Sequence, residues 1–208
     1  MEFSELEKSK MLIEEILKSK GNCKFRVKKI IWYSCPTNIY AVEFLKFLDT
    51  TALKCIRFEY QNKNLEMMKE LMKNEQWKCA EELITSTVLP VGIEMEKFSH
   101  AKRLKIKVHD SDFSVEKIQD LITTFKSSNH TIGSYFSILT HFKMENPDEG
   151  EMVESSKPIV VDGRTVLPKT KTFFPMPDGR HFLLIHRYDT GIEGLVRDNN
   201  IPVDYFIL

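Results

Sequence analysis

The sequence carries no net charge, little glycine or cysteine, and no long apolar segment. Its 30 Lys and Arg residues balance 30 Asp and Glu residues over 208 positions. This balance argues against a dedicated nucleic-acid-binding domain, because such domains are distinctly basic. No apolar run approaches the roughly 18 residues that a membrane-spanning helix needs, and Glu2 and Glu5 follow Met1 where a secretory signal would be basic. We therefore expect an intracellular protein, cytoplasmic or nuclear, with no membrane partner.

The residue patterns of common enzymes are also missing. There is no Gly-rich phosphate loop, no G-x-S-x-G and no H-E-x-x-H, and the 8 glycines leave few places where the backbone could close on a ligand. The 4 cysteines form no C-x-x-C pair and the 6 histidines show no ligand spacing, so we interpret them as reduced thiols and scattered imidazoles. These patterns predict a protein that is not an enzyme and needs no metal or cofactor.

The apolar content is sufficient for a sizeable core, at 42% of residues with 14 Phe. Short β-rich runs alternate with helical stretches over residues 23–142, and the centres of the runs lie near residues 30, 57, 83, 106 and 136. Such spacing is typical of leucine-rich-repeat-like units, whose strands stack into a parallel sheet that helices cover on one side. We therefore predict an α/β strand-helix solenoid over these residues, preceded by an N-terminal capping helix over residues 1–22.

A doubly wound sheet is the competing arrangement, because it also alternates strands with helices. The strand around Ile106 favours the solenoid. There, Leu104 and Ile106 alternate with Arg103, Lys105 and Lys107, so one face of the strand is wet. A strand covered by helices on both faces would be apolar throughout.

The character of the chain changes after residue 142. Residues 143–158 are rich in Asp and Glu and are predicted to form a solvated acidic loop. Beyond them, Asp162-Gly163 and Asp178-Gly179 each stand between β-prone runs, which is a hairpin signal. We expect residues 159–208 to form an antiparallel β-hairpin region that caps the end of the solenoid within the same domain, since a terminal repeat would otherwise expose apolar surface.

The wet sheet face is the candidate binding surface, because its outward side chains would form a basic stripe across neighbouring strands. Such a stripe suits an acidic protein surface or, as the less favoured alternative, a nucleic-acid backbone. The simpler interpretation is a solvated face that keeps the sheet soluble. An aromatic residue beside the stripe would be a partner-binding anchor or, alternatively, part of the core. The candidate partner-binding residues are Arg26, Lys28, Trp32, Arg57, Arg103, Lys105 and Lys107.

An ordered set of short motifs resembles a known family. The segment 75–80 has the form Glu-Gln-Trp-Lys-x-Ala, Phe98-Ser-His follows about twenty residues later, and Ser114-Val-Glu comes after the next predicted strand. Together with the basic strand at 25–30 and the aromatic hairpin at 173–179, this order is similar to the nematode FTH family. The resemblance covers roughly residues 23–197. It differs at Ala101, where the family tends to have a second aromatic residue.

The FTH family is a domain usually attached to F-box proteins. The resemblance therefore implies a protein-interaction domain like the target-recognition part of F-box adaptors of ubiquitin ligases. About 20 residues precede the predicted domain, fewer than the several helices of an F-box require, so we expect the F-box itself not to be in this chain. The sequence thus predicts non-catalytic protein recognition, with nucleic-acid binding through the basic stripe as the alternative.

Overall fold

The computed structural model of the protein describes its central region almost continuously and its ends in part. The described residues are 11, 14–15, 18–19, 24–32, 40–58, 65–112, 114–128, 130–140, 151–152, 159–161, 164–166, 170–188 and 190–198. The described residues of the segment 1–22 are helical. The remainder of the predicted capping helix, and most of the predicted acidic loop at 143–158, lie outside the described residues.

Five strands follow one another in the first two-thirds of the chain, each beside the next. They are β1 (Lys29–Trp32), β2 (Cys55–Phe58), β3 (Glu82–Val88), β4 (Arg103–Lys107) and β5 (Tyr135–Leu139). Each pairs in parallel with its successor. Because parallel neighbours need a crossover connection, the segments between the strands must return along the sheet.

Helices occupy these connections. They are α1 (Tyr40–Lys46), α2 (Leu65–Lys73), α3 (Glu75–Cys79) and α4 (Val115–Ser127), with 3₁₀ turns at Met95–Phe98 and Asp110–Asp112. Ser114 caps α4, since its side-chain oxygen accepts a hydrogen bond from the backbone N–H of Lys117. The predicted mixed α/β class is confirmed.

The C-terminal strands continue the same sheet in the antiparallel sense. They are β9 (Thr170–Pro175), β10 (His181–Tyr188) and β11 (Gly191–Asp198). The sheet order is β1-β2-β3-β4-β5-β11-β10-β9-β6, where β6 is Glu151–Met152. A separate hairpin joins β7 (Ile159–Val161) to β8 (Arg164–Val166).

This arrangement corrects the expectation of a purely parallel sheet closed by a distinct hairpin cap. Strand β11 pairs antiparallel with β5 from Gly191 opposite Leu139 to Leu195 opposite Tyr135, so it satisfies the backbone groups along the edge of β5 directly. The last parallel strand, β5, therefore has no unpaired edge on this side, because the sheet continues with β11.

The main core lies on one side of the sheet. Alternate strand residues point to this side and pack against α1, α2 and α4 in a single cluster. Residues with no more than 1% exposure in this cluster include Ile56, Leu83, Leu104, Ile106, Phe136 and Ile138 from the strands and Leu45, Met68, Leu71, Leu121 and Phe125 from the helices. The helices thus cover one face, as the alternation in β4 predicted.

Side chains in the connections bind the backbone of the preceding strand-helix unit. Gln76 donates its side-chain N–H to the carbonyl of Leu48, 28 residues earlier, at 3.0 Å. His100 Nε2 lies 2.9 Å from the carbonyl oxygen of Trp77. His130 Nε2 in turn lies 3.0 Å from the carbonyl oxygen of Ser99. Because a carbonyl only accepts, Nε2 is the protonated nitrogen in both rings. Three contacts of the same kind therefore join four successive units.

None of the described helices is long and apolar enough to cross a membrane.

Candidate functional site

The sheet face opposite the helices, which we call the polar face, carries the charged residues of β1 to β4. Cross-strand register places Ile31, Arg57, Ile84 and Lys105 in one row over β1 to β4. A neighbouring row contains Glu82 beside Arg103. Since successive strand residues point to opposite faces, both rows lie on the side away from Leu83 and Leu104. The polar face is therefore the surface on which the basic stripe was predicted.

The structure brings four of the seven candidate residues together on this face. They are Arg57, Arg103, Lys105 and Lys107. The side chains of Arg103 and Lys105 are exposed, and those of Arg57 and Lys107 are half-buried. Ile84 and Glu82 of β3 interrupt the stripe between β2 and β4. The basic residues are consequently concentrated on one strand, β4.

Arg26 and Lys28 do not belong to this group, because β1 begins only at Lys29. Both precede the strand and are exposed, and Arg26 forms an ion pair with Asp49 at 3.7 Å. On β1, Ile31 is the register partner of Arg57 and lies on the same face. Lys29, two residues earlier, also lies on that face. A shift of one residue moves every side chain to the other face of a strand, so the prediction chose the wrong lysine of the Lys28-Lys29 pair.

Trp32 lies on the opposite side, against the core. It is the register partner of Phe58, and the two rings are stacked with centroids 5.2 Å apart and planes 10° apart. Phe58 is buried and contacts Trp77 in turn. This packing favours the alternative interpretation, in which Trp32 is part of the core at the end of the strand, and its role in partner binding stays a prediction.

The cations of β4 differ from the lysines at the entrances of the strands. Lys54 and Lys102 both bind the Glu81 carboxylate, at 2.6 and 3.2 Å. These two lysines lower the pKa of Glu81, chiefly through their hydrogen bonds. Within the described ranges, neither Arg103 nor Lys105 forms such an ion pair. Their charge is thus available to a partner.

A second polar group lies across β5 and β11 on the same face. Ser137 is the register partner of both Lys105 and Glu193. The Ser137 hydroxyl donates to Glu193 Oε1 at 3.1 Å, and the Tyr188 hydroxyl donates to Oε2 at 3.3 Å. Burial raises the pKa of Glu193 above its usual value, while these hydrogen bonds and the charge of Lys105 act in the opposite direction. Sequence reasoning missed this group because Ser137 and Glu193 are 56 residues apart in the chain.

Two further groups near these rows are held in their neutral forms. Burial, reinforced by Glu82, raises the pKa of the Cys55 thiol to about 11. Burial also lowers the pKa of His186 to about 4, and Lys171 acts in the same direction. A thiol in this state is a poor nucleophile. Among the residues that the structure describes, no cluster of three or more His, Cys, Asp or Glu side chains could hold a metal ion.

Comparison with known proteins identifies a family. The model of the FTH domain matches residues 7–154. The match covers β1 to β6 and leaves β7 to β11 outside it, so it begins and ends earlier than the resemblance seen in the sequence. No curated protein and no solved structure matches the chain.

Proposed function

Because the chain belongs to the FTH domain family, which is F-box-associated, we propose that it is a non-catalytic protein-recognition domain. One observation carries this proposal. The polar face presents the exposed cations Arg103 and Lys105 on β4, which form no ion pair within the described part of the chain, while the opposite face packs against the main core. Exposed charges of one sign on a fixed sheet favour recognition of a complementary partner.

We also infer that the first five strands and their connections act as a leucine-rich-repeat-like solenoid. The support is the parallel order of β1 to β5, together with the contacts of Gln76, His100 and His130 to the preceding unit. In a solenoid each unit contacts its neighbours alone, and the extended sheet serves as the binding surface. This architecture suits recognition of a target, and in the F-box context that target is a substrate of a ubiquitin ligase.

Nucleic acid is the less favoured partner. Glu82 stands beside Arg103 in register, and Glu193 lies two strands from Lys105 on the same face. The formal net charge of the protein is zero, whereas phosphate backbones are bound by surfaces with a broad excess of positive charge. A protein partner can direct a few acidic side chains to Arg103 and Lys105 and keep them away from Glu82 and Glu193. A polyphosphate is negatively charged along its whole length, so these two carboxylates would repel it.

A charge-reversal experiment tests the proposal. The double variant Arg103→Glu/Lys105→Glu is compared with wild type and with the control Lys24→Glu/Arg180→Glu, which reverses two exposed cations elsewhere. Both variants have the same net charge, so general electrostatic effects cancel. Each protein is immobilised, and the proteins retained from a lysate are compared before and after nuclease treatment.

We expect a discrete set of proteins to be retained by wild type and the control and lost with the β4 variant. Retention of the same set by the β4 variant would place recognition on another surface. Retention that disappears with nuclease would favour the nucleic-acid alternative. An unchanged thermal midpoint confirms that both variants fold, as expected for side chains outside the core.

A further inference from the structure

Three hydrogen-bond donors lie side by side on the polar face, and we call them the donor cluster. They are Arg103 and Lys105 of β4 and Tyr135 of β5. Arg103 and Tyr135 are register partners on neighbouring strands, and Lys105 follows Arg103 by two residues on the same side of β4. Neighbouring strands are about 4.8 Å apart, and alternate residues of one strand are about 6.6 Å apart. The three residues therefore lie within about 8 Å of one another, a separation at which long and aromatic side chains can reach a common group.

The two cations of the donor cluster are not paired with the acid beside them. Glu82 is the register partner of Arg103 on β3, yet within the described ranges the two side chains form no ion pair. The Glu82 carboxylate instead accepts a hydrogen bond from the Cys55 thiol. Lys105 has no ion-pair partner in the described part of the chain either. Both cations are exposed, so a ligand can reach them from solvent.

Tyr135 adds an O–H donor to the two cations. Its side chain is half-buried, and its hydroxyl has no hydrogen-bond acceptor among the residues that the structure describes. Burial raises the pKa of Tyr135 above its usual value, and Glu82 acts in the same direction while Arg103 opposes it. The hydroxyl is therefore protonated at neutral pH. It differs in this respect from Ser137 and Tyr188 on the same face, whose hydroxyls already have an acceptor.

Two cations and one O–H donor around a common point match the chemistry of a phosphate monoester. Such a group carries about −1.5 to −2 charges at pH 7 and has three strong acceptor oxygens. An Arg side chain binds two of these oxygens in parallel, and a Lys side chain adds a point charge. A single carboxylate has one charge and leaves one cation without a counterion. Two carboxylates supply the same charge as a phosphate, but each is held by its own flexible side chain, and ordering both costs conformational entropy.

The surroundings of the donor cluster limit the ligand to one such group. Glu82 lies one strand from Arg103, and Glu193 lies two strands from Lys105 on the same face. These carboxylates would repel a chain that carries a phosphate at every residue. A phosphorylated side chain of a protein concentrates its charge at one point, and the residues beside it can be neutral. The charge distribution therefore favours a phosphorylated protein over a nucleic acid.

We propose that the donor cluster binds a phosphorylated side chain of a partner protein. The inference rests on the proposed recognition function and names the chemical group that the same surface recognises. Arg103 and Lys105 balance the charge of the phosphate, and the Tyr135 hydroxyl donates to one of its oxygens. Recognition then depends on a preceding phosphoryl transfer to the partner, so that the same partner is bound only in its modified form.

NMR titrations of the isotopically labelled full chain test the proposal, because they measure weak binding directly. The probes are a glycine-flanked peptide with a central phosphoserine, the same peptide with serine, and a charge-matched peptide with Glu at two alternate positions. Single-stranded oligothymidylate is the fourth probe. The proteins are wild type, Tyr135→Phe, the β4 variant Arg103→Glu/Lys105→Glu and the control Lys24→Glu/Arg180→Glu.

We expect wild type and the control to bind the phosphoserine peptide about fivefold more tightly than the charge-matched peptide, with shifts of the backbone amide signals of Arg103, Lys105 and Tyr135. The serine peptide should produce no such shifts. Tyr135→Phe keeps the ring and removes one hydrogen bond, so its affinity for the phosphoserine peptide should fall about fivefold. The β4 variant should lose this binding altogether.

Several results would overturn the proposal. They are the absence of binding of the phosphoserine peptide to wild type, equal affinities of wild type for the phosphoserine and charge-matched peptides, and an unchanged affinity for the phosphoserine peptide in Tyr135→Phe or in the β4 variant. Tighter binding of the oligothymidylate than of the phosphoserine peptide, lost in the β4 variant, would assign the donor cluster to nucleic acid instead.

Failure of this inference can be told apart from failure of the proposed function. Equal affinities for the phosphoserine and charge-matched peptides, combined with lysate proteins retained in a β4-dependent way after phosphatase treatment, would leave protein recognition by the polar face intact and remove the phosphate alone. Proteins retained equally by wild type and the β4 variant would instead contradict the proposed recognition surface.

Discussion

His130 stacks on Phe125, with the two ring centroids 3.7 Å apart and the ring planes 17° apart. The histidine is 7% exposed, and its second contact is the carbonyl oxygen of Ser99. Burial lowers the pKa of His130 below its usual value, and His100 and Lys102 act in the same direction. An imidazole in this position is neutral in the folded protein and becomes charged only at a cost in stability.

This relationship predicts acid sensitivity of the fold. The unfolded chain takes up protons below about pH 6.5, the usual pKa of His, while the folded chain resists this uptake. The free energy of unfolding is therefore unaffected above that pH and falls as the pH drops below it. The loss is at most about 1.4 kcal/mol per pH unit for each such histidine. The pKa values of His100 and His186 are lowered by burial as well, so three residues contribute.

The measurement is urea unfolding between about pH 5.5 and pH 7.5, a window set by the usual His pKa. The variant His130→Gln should show a shallower pH dependence than wild type, whatever its absolute stability. The exposed His109 supplies the control, since His109→Gln should leave the slope unchanged. Equal slopes for wild type and His130→Gln would contradict the contribution of His130 to the pH dependence of stability.

Trp77 is expected to be a major contributor to stability. It is 1% exposed, meets Phe98 edge-to-face at 5.4 Å and lies 6.0 Å from the Phe58 ring. Trp77 lies in α3, and its side chain belongs to the core cluster. Trp77→Ala should lower the free energy of unfolding by about 3–5 kcal/mol. Lys78→Ala, at the exposed neighbouring position, should change the thermal midpoint little, and equal midpoints for the two variants would contradict a structural role for Trp77.

Gln76 is expected to be sensitive to loss of its amide. Its side chain is 4% exposed and donates to the carbonyls of Leu48, at 3.0 Å, and Lys46, at 3.3 Å. Gln76→Met preserves the volume but removes both donors, which should cost about 1–3 kcal/mol because buried acceptors are left unsatisfied. Glu75→Ala, at an exposed position in the same helix, should cost less than about 0.5 kcal/mol. Denaturant unfolding of the two variants tests the difference, and a cost no larger for Gln76→Met than for Glu75→Ala would mean that the contact does not stabilise the fold.

Gly194 is expected to tolerate no side chain beside the Phe136 ring. A Cβ built at Gly194 would lie 2.3 and 2.4 Å from two carbons of that ring, in the β5–β11 pair. Gly194→Ala should therefore destabilise the protein. The double variant Gly194→Ala/Phe136→Leu should lose less stability than the two single variants together, because the smaller side chain makes room for the added methyl. Additive losses in thermal unfolding would exclude the steric explanation.

Much of the fold could be predicted from local patterns. The strand around Ile106 alternates so clearly that its buried and exposed sides were identified correctly. Boundaries were less accurate. The β-rich run centred near residue 30 contains a strand of only four residues, Lys29–Trp32. Because side-chain direction alternates with every residue, a shift of one residue placed Lys28 in the predicted stripe where the structure has Lys29.

The sequence by itself determined the order of strands and helices, the alternation of β4 and the family, because these depend on residues close together in the chain. The tertiary structure alone decided that β11 would pair with β5 and extend the sheet. It also decided that Ser137 would meet Glu193, that Glu82 would lie beside Arg103 and that Glu193 would lie two strands from Lys105. These contacts join residues separated by tens of positions. Their register follows from the packing of the whole sheet, which no local pattern specifies.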